Sequence, residues 1–137
     1  MTAKFVLQVS ACLFTSLKLG KEKISTLVLR LDRRIRFAGV VTLKGEVVEG
    51  GFQEEAKPLL DQDKEQQLYL ESLSAIGTLK EYSDSLGDLL YNITEYRKVI
   101  LMTFPLKGRK ILCISLIPGT DIKNIKNQVM RILGSAY

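Results

Sequence analysis

Four arginines crowded into seven residues, Arg30, Arg33, Arg34 and Arg36, form the densest chemistry-bearing cluster in the chain. Guanidinium groups at this spacing suit a phosphate backbone, anionic lipid head groups or an acidic protein surface. The plainer alternative is that they face the acidic middle of the same chain or of a second copy, since surface charges are usually solvated or loosely paired. Only Phe37 interleaves the cluster as an aromatic, so a platform for stacking single-stranded bases is not expected.

Other candidate chemistry is thin. Asp61-Gln62-Asp63-Lys64-Glu65 echoes the start of a calcium loop, but no glycine stands at the sixth position and no glutamate at the distal one. Acidic residues there are better used in the first turn of a helix, where the dipole favours them. Glu54 and Glu55 read as a solvated loop. The sequence has no histidine, which removes the commonest general base and metal ligand. Cys12 and Cys113 lie too far apart in sequence to suggest a zinc site, and Cys113 sits in the apolar run Ile111-Leu112-Cys113-Ile114 as a small hydrophobe. Neither a Walker loop nor a dinucleotide-binding loop occurs. The expectation is a protein with no catalytic residue, no metal and no cofactor.

The net charge of +5 conceals a pattern. Residues 1–44 hold nine Lys/Arg against two Asp/Glu, residues 45–95 three against twelve, and residues 96–137 eight against one. A basic–acidic–basic chain neutralises itself within a fold or between subunits, which weakens the case for nucleic acid that the pI alone would make.

One domain is expected, because 137 residues leave little for a second core and no linker or repeat divides them. Residues 1–20 stand apart as an apolar N-terminal extension. The run 5–17 would rise about 20 Å as a helix, short of a bilayer core of roughly 30 Å. Val9-Ser10-Ala11-Cys12 resembles a lipoprotein cleavage box with too short an apolar lead, so an appendage on the core is preferred to a targeting signal, and a cytoplasmic location with reduced thiols is expected.

The elements that must position these groups follow from periodicity. Ile24, Leu27, Val28 and Leu31 predict a helix over 21–32. Residues 35–41 read as a strand, Leu43-Lys44-Gly45 as a turn, and Glu46-Val47-Val48 as a return strand ended by Gly50-Gly51. A long helix is predicted over 63–86, capped by Asp61 or Asp63 and stopped at Gly87. Leu68, Ser72, Ala75, Ile76 and Leu79 mark one face of it, mixing large and small residues as close helix packing requires. Strands follow over 89–93, 99–104 (ended by Pro105) and 111–117, the last two so apolar that both faces should be covered. Thr120 or Asp121 caps a final helix with Ile122, Ile125, Val129, Ile132 and Leu133 buried. The fold class is α/β in the α+β sense, in the order α-β-β-α-β-β-β-α.

That order, with Gly39 in the first strand and Gly45 in the first hairpin, resembles the roadblock/LC7 fold of the longin/profilin-like group. Ile35-Arg36-Phe37-Ala38-Gly39-Val40, Gly45, Gly50-Gly51, Tyr91, residues 96–99 and Phe104-Pro105-Leu106 are also similar to a family of small uncharacterised archaeal proteins. The resemblance spans residues 22–133. It implies a five-stranded antiparallel sheet with the middle helix on one face and the terminal helices on the other. It also implies a homodimer through the middle helix and an adjoining strand, serving as a scaffold or regulator for partners such as small GTPases. Leu68, Ser72, Ala75, Ile76 and Leu79 are the expected dimer interface on that reading. Two further readings stand beside it: an anion- or nucleic-acid-binding protein using Arg30 to Arg36, and a small-ligand sensor, for which no residue specifies a ligand.

Overall fold

Apolar residues fill both faces of the run Ile111-Leu112-Cys113-Ile114-Ser115-Leu116, so it forms a central strand with cover on each side. The computed structural model describes residues 22–136, so the N-terminal extension and Cys12 lie outside the described residues. The elements are α1 (Ile24–Leu29), β1 (Ile35–Val41), β2 (Val47–Phe52), α2 (Gln62–Lys80), α3 (Ser83–Leu86), β3 (Asn92–Glu95), β4 (Ile100–Leu106), β5 (Lys110–Leu116) and α4 (Ile122–Ala136). The strands form one antiparallel sheet in the order β2-β1-β5-β4-β3. The expected five-stranded sheet with helices on both faces is therefore what forms.

Two cores flank the sheet. On one face α1 and α4 bury Ile24, Val28, Ile125 and Val129 against Ile35, Val40, Met102, Phe104, Leu112 and Ile114. On the other, Tyr69, Leu73 and Ile76 of α2 pack on Phe37, Val41, Ile111 and Cys113. The rings of Phe37 and Tyr69 stack at 5.9 Å, and Phe52 leans on Phe37 at 4.8 Å.

Helix α1 is six residues long and has no side-chain cap of its own at Lys23. Strand β2 substitutes for the missing caps. Glu49 accepts hydrogen bonds from the backbone N–H and the hydroxyl of Ser25, both at 2.9 Å. Gln53 donates its amide to the Leu29 carbonyl at 2.7 Å. Both ends of a helix too short to hold itself are thus fastened to the sheet edge.

Several boundaries depart from the sequence expectation. Gly50-Gly51 does not end β2; the strand runs on to Phe52, and Gly50 sits at φ 100° opposite Gly39. The long helix stops at Lys80 rather than 86. Glu81 and Tyr82 donate to Thr78 and Leu79, three residues back, and the chain tightens into a turn before α3. Beyond Ile76 no residue of α2 or α3 is buried, so no tertiary contact extends the helix. Strand β3 starts three residues later and ends two later than expected, because the Tyr96 N–H bonds to the Val99 carbonyl at 2.8 Å, closing a tight turn that fixes the register of Glu95 on Ile100. Pro105 stays inside β4, paired with Ile111, beyond the last β3 partner at Thr103, so no ladder bond to β3 is lost.

Candidate functional site

The expectation that both faces of β4 and β5 are covered holds for β5 and fails for β4. Residues 111–116 are all buried, whereas Leu101 and Pro105 are only half-buried. The cause is the path of α2. Its first half stacks on β1 through Tyr69 against Phe37, and its second half packs through Ile76 on Ile111, beside the β4–β5 turn. That path leaves the start of β4, at Leu101, less covered on the α2 side.

The opening is a cleft of about 580 Å³. Phe37, Phe52, Leu68, Tyr69, Leu101 and Cys113 supply its apolar lining. Its flanks are Leu59 and Leu60, exposed at 53% and 39%, and the turn residue Tyr96 at 51%. Large apolar groups left in water beside an apolar hollow mark a contact surface rather than a finished exterior.

Polar groups at the cleft are few. Arg36, Arg97 and Lys98 stand on its rim, and Ser72, Thr103 and Ser115 are set among the apolar lining. Ser115 is 7% exposed, and its hydroxyl has no hydrogen-bond partner among the described residues. Glu65, the one carboxylate of the lining, accepts a hydrogen bond from Tyr69, and partial burial pushes its pKa above the ordinary value. The Tyr69 phenol is pushed up as well, first by burial and then by the charge of Glu65. Burial pushes the Cys113 thiol up to about 12, so it stays protonated and carries no nucleophile into the cleft.

A raised carboxyl pKa favours folding only while the group is protonated, so the ionised Glu65 opposes folding at neutral pH. Glu65→Gln keeps an acceptor for the Tyr69 hydroxyl and removes the charge. Because the group is largely solvated, the expected gain is small, a Tm higher by about 1–2 °C at pH 7. That gap should close as the pH falls below the ordinary carboxyl value of 4.5. Thermal melts across pH 3–8 check this, and a constant gap would contradict it.

The structure separates the residues singled out in sequence. Leu68 and Ser72 line the cleft, while Ala75 and Leu79 continue the same row of α2 in the exposed state. Ile76, at 4% exposure, belongs to the adjacent row and packs into the chain's own core. The four arginines differ in their contacts. Arg30 pairs with Glu22 at 2.7 Å and Arg34 with Asp32 at 3.6 Å, both acids of the basic N-terminal segment rather than of the acidic middle. Arg33 is exposed in the turn, and Arg36 donates to the Lys57 carbonyl at the cleft. Asp61 caps α2 by accepting from the Lys64 N–H at 2.9 Å, with Asp63 and Glu65 in the first turn. Phe52, Leu101, Ser115 and the Arg97-Lys98 pair were not singled out as site residues; only the family resemblance over residues 96–99 touched any of them.

A protein-family profile described as "Family of unknown function (DUF6659)" matches residues 18–137. The chain belongs to this family. No curated protein matches the DUF6659 chain. Among solved structures it is similar to a roadblock/LC7 domain from Streptomyces avermitilis, at 11% identity and TM-score 0.59, over 82% of this chain and 90% of that one. It is similar to the gliding protein MglB from Thermus thermophilus, at 15% identity and TM-score 0.58, over 87% and 91%. A structure described as MglB with tetrameric arrangement also matches, at 15% identity and TM-score 0.58, over 83% and 88%. At these identities the likeness is one of fold. This DUF6659 protein has the roadblock/LC7 fold.

Proposed function

We propose that the protein is a non-catalytic interaction module that pairs with a second copy of itself and, as a dimer, serves as an adaptor or regulator of another protein, with a small GTPase as the leading class. One observation carries the pairing. Leu68 and Ser72 border the less covered start of β4, Ala75 and Leu79 continue their row exposed, and the sheet beyond β4 ends in the short edge strand β3. Small residues at Ser72 and Ala75 let a second helix approach closely, and the open edge of β3 offers unpaired backbone groups for strand addition. A matching fold neighbour is described in a tetrameric arrangement, which supports self-assembly as a use of this fold. The GTPase class rests on resemblance to roadblock-like regulators and on no residue of this chain.

Ala75→Glu tests the pairing. The position is exposed within one chain, so the fold should tolerate the change. In a pair, two carboxylates would be buried together, and an uncompensated buried charge costs about 3–5 kcal/mol, at least about a hundredfold in affinity. Light scattering should give a dimer for the unmodified chain and a monomer for the variant. A monomer in both, or a dimer in both, would remove the proposed interface.

A further inference from the structure

We propose that the cleft between α2 and the β4–β5 strands is a binding site for a small organic anion with an apolar body, of the single-chain fatty-acid type. This goes beyond the pairing described above: the cleft shares Leu68 and Ser72 with the pairing row, but Ala75 and Leu79 do not line it.

Three observations point to such a ligand. First, the volume of about 580 Å³ lies inside the range of roughly 300–1,000 Å³ that small-molecule sites occupy, with the same makeup of apolar walls and few polar groups. Second, the charges at the cleft are unequal. Arg36, Arg97 and Lys98 stand against a single carboxylate, Glu65. Arg97 and Lys98 have no ion-pair partner among the described residues. Third, the Ser115 hydroxyl is buried with no partner. An orphaned buried hydroxyl is destabilising, and native structures seldom leave one unsatisfied.

The layout gives the ligand a direction. Ser115 pairs in register with Leu101 on β4 and Phe37 on β1. It therefore lies at the end of the cleft that holds Arg36, next to Phe37, and the turn bearing Arg97 and Lys98, which leads into β4. Leu68, Tyr69, Phe52 and Cys113 line the remainder. A carboxylate at the Ser115 end would accept from the hydroxyl and from the rim cations, while its apolar tail would lie along α2.

Isothermal titration of the full chain with decanoate and with decanol, which lacks the charge, tests the assignment. Decanoate should bind saturably, one per chain, and at least about tenfold more tightly than decanol. The double variant Arg97→Ala, Lys98→Ala alters only exposed turn residues. It should weaken decanoate about tenfold and leave decanol unchanged. Ser115→Ala should weaken decanoate about fivefold without loss of fold, since it deletes an unpaired group. Ala75→Glu should leave decanoate binding intact, so a failure of pairing leaves this result standing. Decanoate that does not saturate, equal binding of decanol, or indifference to the double variant would overturn the proposal. So would decanoate binding seen only in the Ala75→Glu monomer, because a second copy would then be the cleft's occupant.

Discussion

Gly50→Ala is expected to destabilise the fold by more than about 3 kcal/mol, seen as a large drop in the urea midpoint. The backbone there has φ 100°, a conformation L side chains rarely adopt. A Cβ would also stand 2.1 Å from the Ala38 carbonyl oxygen and 2.8 Å from both the Gly39 Cα and the Ser25 Cβ. Two of those three neighbours are backbone, so no rotamer change relieves the overlap. Ser25 is also the residue that Glu49 fastens, so the damage should spread to the hold of β2 on α1. A variant within about 1 kcal/mol of the parent would mean that β2 shifts freely, and that the β1–β2 register is not fixed by this close approach.

Phe104→Ala is expected to cost about 3–5 kcal/mol, with an unchanged denaturant slope. Phe104 is fully buried at the centre of the core between the sheet and α1 and α4, and its ring lies 5.8 Å from that of Tyr91. Truncation leaves a cavity that strands tied on both sides cannot close. Leu86→Ala gives the contrast: at 82% exposure that leucine should change stability by less than about 0.5 kcal/mol. Comparable losses from the two substitutions would place the core elsewhere.

The order of elements was legible because each carries its own period. The α4 stripe of Ile125 and Val129 and the doubly apolar run of β5 leave little choice of partner. What the sequence could not show was which of two neighbouring apolar rows on α2 meets its own sheet. Leu68, Ser72, Ala75 and Leu79 lie on one row and Tyr69, Leu73 and Ile76 on the next. A helical repeat marks both as non-polar without ranking them. Only the sheet decides, through Phe37 and Phe52, that Tyr69 and Ile76 go inside. Gly50 was misread for a related reason. A Gly-Gly pair signals a turn locally, and the need for close approach to Ala38 and Ser25 is set by residues 12 and 25 positions away.

The cleft was hidden more deeply. Its walls come from β1, β2, α2, β4, β5 and the turn before β4, so no local pattern contains it. Nor does the sequence give the diagonal path of α2 that leaves it open. The arginine cluster is a further case in which contacts were not legible. Proximity in sequence suggested one anion patch, while the fold ties Arg30 and Arg34 to nearby acids and sends Arg36 to the cleft.

The pairing of two copies across α2 and β3 is probed most sharply by hydrogen exchange of the β3 amides at residues 92–95 as protein concentration is raised. If a second copy covers that edge, their protection should increase with concentration and collapse in Ala75→Glu. Exchange at β3 that is the same at every concentration and in both chains would rule the pairing out.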